Sequence, residues 1–275
     1  MEQLSGGVAV VTGAASGIGR AVASAFAQEG MRVVLADIEA AALDDAVTEL
    51  RGDGHDVLGV VTDVSSAESV SRLRDQAVDH YGTVDVLHNN AGVVAAGLIE
   101  DIPLATWRWV VDVDLWSVIY GIRAFVPLMK RQRRGHVINT ASTAGLQANP
   151  GIGPYNVAKF GVVAITETLR VECEGTGVNA SVLCPGAVNT NIVRAERNRP
   201  ANVPESTGAV AERFAASSTR LLGEQGIAPT AVAAMVVDAV RSERFWIITH
   251  PGWIDVARDR AAAMADGSLV RRFAG

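Results

Sequence analysis

The sequence predicts an α/β protein: a doubly wound, three-layer sandwich around a seven-stranded parallel sheet, in a single domain spanning residues 1–275. Three observations carry this prediction. Short runs rich in Val, Ile, Leu and Ala alternate with longer segments of helical periodicity along the whole chain, the pattern of repeated βαβ units. The strand-like runs are apolar at successive positions rather than at every second one, as expected when both faces of a parallel sheet are covered. The residues suited to binding and chemistry fall just after these runs, where open parallel sheets hold their ligands.

Composition agrees. The chain has 275 residues, 49% of them hydrophobic, and 27 Gly for tight turns. A net charge of −6 argues against nucleic acid as a partner. Cys173 and Cys184 have no metal-ligand spacing, so no metal is expected, and two thiols suit a reducing cytosol. The first residues lack a signal-peptide pattern, and no apolar run approaches the ~18 residues of a membrane span. The expectation is a cytoplasmic protein without a membrane partner.

The first strand is Gly7–Thr12 (GVAVVT), followed by Gly13-Ala14-Ala15-Ser16-Gly17-Ile18-Gly19 and a helix from Arg20 to about Glu29. A glycine-rich turn between strand and helix lets a pyrophosphate approach the backbone and meet the helix N-terminus, as in Rossmann-type folds. Gly13, Ser16, Gly17, Ile18 and Gly19 are therefore candidate cofactor contacts. The second strand, Met31–Ala36, ends at Asp37, eighteen residues past Gly19. An acid there meets the ribose hydroxyls of NAD and repels the extra phosphate of NADP. Ala40–Leu50 reads as a helix and Val57–Thr62 as the third strand, followed by Asp63 and Val64; Ser65 or Ser66 caps a helix running to about His80.

Val84–His88 is the fourth strand and leads into Asn89-Asn90-Ala91-Gly92, where small residues let the chain pass close to a ligand and an Asn can tie strands together. Thr106 to about Arg133 reads as one long helical region, its Trp107, Trp109 and Trp116 serving core or subunit contact. The fifth strand, His136–Ala141, delivers Ser142. Thirteen residues later comes Tyr155, and Lys159 four residues beyond it. Positions i and i+4 share a helix face, so the Lys ammonium would pull the Tyr pKa down and make it a base suited to an alcohol proton. The chain has 24 basic residues, of which only Lys130 and Lys159 are Lys; a compact, tunable ammonium was kept beside a Tyr. Pro154 suits the first turn of that helix, which runs to about Glu172.

Val178–Cys184 is the sixth strand, followed by Pro185-Gly186-Ala187-Val188-Asn189-Thr190. Residues 191–226 are irregular apart from a helix at Ala209–Leu222, and read as a substrate lid. Thr230–Arg241 is a helix and Phe245–Thr249 the seventh strand; residues 252–275 form a partly helical tail reaching toward a neighbouring subunit.

Taken together, T-G-x-x-x-G-x-G at Thr12–Gly19, N-N-A-G at Asn89–Gly92, Ser142, the Tyr155-x-x-x-Lys159 pair and P-G-x-x-x-T at Pro185–Thr190 resemble the short-chain dehydrogenase/reductase family, from about Gly6 to Phe245. The resemblance implies that Asp63 bonds the adenine amine with Val64 against the ring, that Asn90, Ala91 and Gly92 flank the cofactor, and that Pro185, Gly186, Val188 and Thr190 grip the nicotinamide carboxamide. It implies that Lys159 also holds the nicotinamide ribose. It further implies a homo-oligomer, tetramer or dimer. Asp114, in Val113-Asp114-Leu115, stands where the family carries an Asn that completes the catalytic set and its proton relay; an ionised carboxylate cannot donate as an amide does. The expected function is NAD-dependent interconversion of a secondary alcohol and a ketone, with Ser142, Tyr155, Lys159 and Asp114 catalytic. Two rivals are an NADP-dependent ketone reductase, which Asp37 opposes, and a non-catalytic NAD(H)-binding sensor, which Asp114 alone favours.

Overall fold

Seven parallel strands form one sheet in the computed structural model, which describes Met1 and residues 3–269. They are β1 (Val8–Thr12), β2 (Arg32–Asp37), β3 (Val57–Val61), β4 (Val86–Asn89), β5 (Gly135–Thr140), β6 (Val178–Cys184) and β7 (Trp246–Ile248). Their spatial order is β3-β2-β1-β4-β5-β6-β7. Helices α1 (Gly17–Gln28), α2 (Ala40–Gly52) and α8 (Pro229–Ser242) cover one face. Helices α3 (Ala67–Tyr81), α5 (Ser117–Gln132) and α6 (Gly153–Glu172) cover the other. Alternate residues of one strand serve the two cores. Ala9, Val11, Val33 and Leu35 pack with Phe26, Leu43 and Val236, while Val8, Val10, Val34 and Ala36 pack with Leu73, Phe125 and Met129. Each such buried Val or Leu contributes roughly 1.5–3 kcal/mol, and burial on both sides is why the strands read as unbroken apolar runs.

The order reverses between β1 and β4, which opens a crevice at their carboxyl ends. Thr12 pins it. Its Oγ1 accepts from the backbone N–H of Asn90 at 2.9 Å and of Ala91 at 3.2 Å, while Asn90 Nδ2 donates to the Thr12 carbonyl at 3.0 Å. Asn89 extends the tie: its Nδ2 donates to Asn139 Oδ1 at 2.8 Å, and Asn139 Nδ2 to Thr166 Oγ1 at 3.0 Å, joining β4, β5 and α6.

Two histidines lie wholly inside the sheet. His88 Nε2 is 2.8 Å from Thr140 Oγ1, which donates onward to Asn90 Oδ1. His136 Nε2 is 2.7 Å from Ser181 Oγ, which donates onward to the Arg244 carbonyl. Each hydroxyl spends its proton elsewhere, so each Nε2 is the donor and each Nδ1 is left buried without a partner. Burial pushes both imidazoles down to about 3.

The long helix expected from Thr106 to about Arg133 is corrected. The segment begins at Leu104 and is divided into α4 (Leu104–Val111), a π-helical turn (Asp112–Trp116) and α5. The wide turn rotates Asp114 inward to full burial while Trp116 stays 43% exposed. Ser66 caps α3 through the Ser69 N–H at 3.2 Å, and Pro154 sits in the first turn of α6, both as predicted. Beyond β6 the chain forms a 3-10 segment (Ile192–Asn198) and α7 (Ala209–Gln225). The tail folds as α9 (Gly252–Asp266) along α6 of the same chain, with Arg260 4.9 Å from the Phe160 ring centroid. Residues 270–275 of the predicted tail lie outside the described residues. Among the described residues no helix is long and apolar enough to cross a membrane.

Candidate active site

A cavity of about 1280 Å³ lies over the carboxyl ends of the strands. Its wall includes Ser142, Tyr155 and Lys159. Ser142 follows β5, where its Oγ accepts from the Ala144 N–H at 3.1 Å and so caps a 3-10 turn. The Tyr155 and Ser142 side chains stand near each other on that wall. One turn along α6, Lys159 Nζ lies 5.3 Å from the Tyr155 ring centroid. It donates to the Thr140 carbonyl at 3.1 Å and stands 3.0 Å from Asp114 Oδ2. That last contact is an ion pair whose angle falls outside hydrogen-bond geometry. Asp114 Oδ1 accepts from the Val93 N–H at 2.8 Å. The four residues thus meet at one point from β5, α6 and the π turn. Asp114, 0% exposed, is behind Lys159 rather than on the cavity wall.

The rest of the wall is a trough. Gly13, Ser16, Gly17 and Ile18 form one end, with Asp37, Asp63 and Val64 beside them. Asn90, Ala91 and Gly92 also line the trough, as do Pro185, Gly186, Val188 and Thr190, with Thr190 lying against Gly17. Gly13 has φ +66, and a Cβ there would lie 2.9 Å from Ala91 Cα; only glycine lets the loop lie this close to β4. Gly19 does not face the cavity. It lies under the loop, where a Cβ would strike the Gly13 carbonyl, so it serves the close packing of α1. Asp37 is buried, with Oδ2 accepting from the Ala15 N–H at 2.9 Å and Oδ1 from the Glu39 N–H at 3.0 Å. Asp63 is exposed and accepts from Ser65.

The family model described as short chain dehydrogenase matches residues 7–201. The chain belongs to the short-chain dehydrogenase family. The 1-deoxy-11-beta-hydroxypentalenate dehydrogenase of Streptomyces exfoliatus is 38% identical over 245 residues, 88% of this chain and 82% of that protein. The C alpha-dehydrogenase of a Sphingobium species is 33% identical over 253 residues, 91% of this chain and 83% of that one. The crystal structure of a short chain dehydrogenase/reductase from Burkholderia phymatum in complex with NAD is 38% identical, covers 100% of both chains and superposes with a TM-score of 0.96.

Electrostatics in this short-chain dehydrogenase depart from the sequence expectation. Tyr155 was expected to have a depressed pKa; its balance runs the other way. Tyr155 is half-buried by area, but its hydroxyl end is desolvated, and that burial pushes it above the ordinary phenol value. The Lys159 charge and the Ser142 hydrogen bond pull it down, while the Asp114 charge raises it further. Burial alone would depress the Lys159 ammonium, but Asp114 and Tyr155 together hold it above its usual value. Burial lifts the Asp114 carboxyl, against the pull of Lys159 and the Val93 N–H.

Several wall residues carried no signal in the sequence of this dehydrogenase. Phe214, Leu221 and Ser218 reach the cavity from α7 at helical spacing, and Ile152 and Val94 face them beside Tyr155. Arg197 and Asn198, from the 3-10 segment, cross to Glu39 at the opposite end. Asn198 and then Arg197 hold the Glu39 carboxyl below its usual value, against mild desolvation. Only helical periodicity in 209–222 hinted at the first group; charges in a polar loop gave no hint of the second.

Proposed function

We propose that this protein is an NAD-dependent oxidoreductase that interconverts a secondary alcohol and a ketone. The observation that carries this reading is the grouping of Ser142, Tyr155 and Lys159 on one wall of the cavity, with the Lys159 ammonium 5.3 Å from the Tyr ring centroid. Tyr155 takes the alcohol proton, or returns it to the ketone oxygen. Ser142 hydrogen-bonds that same oxygen and steadies its developing charge. Lys159 partly offsets the cost of a tyrosinate. Asp114 is a positioning residue: it anchors the ammonium and keeps the Lys–Asp pair neutral as a unit. That neutrality leaves Tyr155 protonated in the resting site, in the form that donates to a ketone.

The trough fits a dinucleotide: Gly13 and Gly17, both at positive φ, let the loop before α1 turn tightly against Ala91 and Thr190 at the cavity wall. Gly13, Ser16, Gly17 and Ile18 would hold the pyrophosphate, Asp37 the adenosine ribose, and Asp63 with Val64 the adenine. Asn90, Ala91 and Gly92 would flank the cofactor along the middle of the trough, Lys159 the nicotinamide ribose, and Pro185, Gly186, Val188 and Thr190 the carboxamide. The nicotinamide supplies hydride acceptance and donation when bound. A relative of known structure holds NAD, and Asp37 favours a ribose free of a second phosphate. Beside Tyr155 the wall is Val94, Ile152, Ile192 and Phe214, so the substrate is an uncharged compound with a bulky apolar body.

The test is NADH formation from a panel of cyclic, aromatic and aliphatic secondary alcohols, with NAD and NADP in parallel. Turnover with NAD is expected, falling by roughly 10²–10⁴-fold in Tyr155→Phe. Turnover undiminished by that substitution would defeat the mechanism; preference for NADP would defeat the reading of Asp37.

A further inference from the structure

Glu39, two residues beyond Asp37, is the most heavily engaged carboxylate on the cavity wall. Its Oε1 accepts from Arg197 Nε at 3.0 Å and Asn198 Nδ2 at 2.8 Å, and lies 2.8 Å from Arg197 Nη2. Arg197 Nη1 is also occupied, by the carbonyls of Arg194 at 3.1 Å and Asn191 at 3.3 Å. All three guanidinium nitrogens are thus taken. The partners are 158 residues apart in sequence, so this contact is a bridge from the lid to the β2–α2 turn. Glu39, Arg197 and Asn198 all face the cavity, as does Asp37. Asp37 itself fixes the bridge, because its Oδ1 holds the Glu39 backbone N–H.

An arginine near the ribose end of such a trough is the group that ordinarily accepts a 2′-phosphate, through its planar fork of donors. Arg197 is in that neighbourhood, yet a carboxylate holds it. We propose that Glu39 is a second cofactor-discriminating residue, which excludes NADP by keeping Arg197 captive as well as by its own negative charge. This inference rests on the reading that Asp37 marks the adenosine ribose. The discrimination therefore has two layers: Asp37 repels a phosphate, and Glu39 denies it the Arg197 cation that would neutralise it.

The experiment is a fluorescence titration of NADH and NADPH onto wild type, Glu39→Ala, Glu39→Gln and the double variant Glu39→Ala/Arg197→Ala, with no substrate present. Charge-assisted hydrogen bonds released from Glu39 become available to a phosphate, so Glu39→Ala is expected to bind NADPH about tenfold tighter than wild type. Glu39→Gln, which keeps an acceptor for Asn198, is expected to give a smaller gain of the same sign. The double variant is expected to lose most of the gain, keeping only the part due to the removed Glu39 charge. NADPH affinity unchanged in both Glu39 variants, or a gain that persists in full without Arg197, would overturn the captive arginine while leaving the Asp37 reading intact if wild type still prefers NADH. A wild-type protein that binds NADPH at least as tightly as NADH would overturn both. The bridge is part-exposed, so melting temperatures near wild type are expected and would confirm that each variant is folded.

Discussion

The floor of the cavity and the segment proposed as its lid face the same space but are held in different ways. On the floor, Lys159 and Asp114 are almost wholly buried, and each is tied to backbone groups as well as to the other. In the lid, α7 has no buried residue among its seventeen, and the bridge that secures the 3-10 segment is part-exposed. Breaking a buried pair leaves a charge without water and costs roughly 3–5 kcal/mol, whereas an exposed pair contributes about 0–1 kcal/mol. The division suits the proposed roles. Proton transfer tolerates little displacement, so its groups are locked.

The largest expected way to break this contrast comes from beneath the floor. His88 and His136 are neutral when folded, with folded pKa values near 3, and would take a proton in the unfolded chain at their ordinary value of 6.5. The unfolded state therefore binds more protons as pH falls below 6.5, and stability present above that pH is lost on the way toward 3. At about 1.4 kcal/mol per unit for each ring, denaturant unfolding is expected to show a loss of up to about 4 kcal/mol between pH 6.5 and 5. A flat stability profile across that interval would mean the two rings find acceptors when charged.

Next in size is Asp114→Asn. Its charge raises Tyr155, so its removal is expected to move the alkaline rise of alcohol oxidation to lower pH. An unmoved profile would show that Asp114 anchors Lys159 without tuning Tyr155. The smallest effect is expected in the lid. Phe214→Ser removes apolar wall from a helix that has no buried residue. A severalfold rise in KM for apolar alcohols is expected, with kcat and melting temperature close to wild type. A large drop in melting temperature would show that α7 belongs to the folded core.

The fold was legible because burial on both sheet faces leaves unbroken apolar runs, bounded here by Gly6-Gly7 before β1 and Pro185-Gly186 after β6. The chemistry of the site was legible where spacing forces neighbours together, as with Tyr155 and Lys159 on one helix face. The π turn was not: Asp112–Trp116 has no residue that marks it, and it arises because Asp114 is drawn toward Val93 and Lys159 by contacts made after folding. The net direction of the Tyr155 shift was also hidden, since spacing shows the ammonium but not the desolvation that outweighs it. The pairing of Glu39 with Arg197 was invisible because a polar loop offers many possible partners and the sequence ranks none of them.

Thr12 has one further consequence. A single hydroxyl that receives two neighbouring amides fixes the crevice between β1 and β4 in its open form. A trough built this way is already in its binding-competent shape, so no fraction of the free protein has to be waited for, and measured affinity should approach intrinsic affinity. Thr12→Val, nearly the same in shape, would leave those two amides unanswered and turn a standing receptor into one that must be assembled on each encounter.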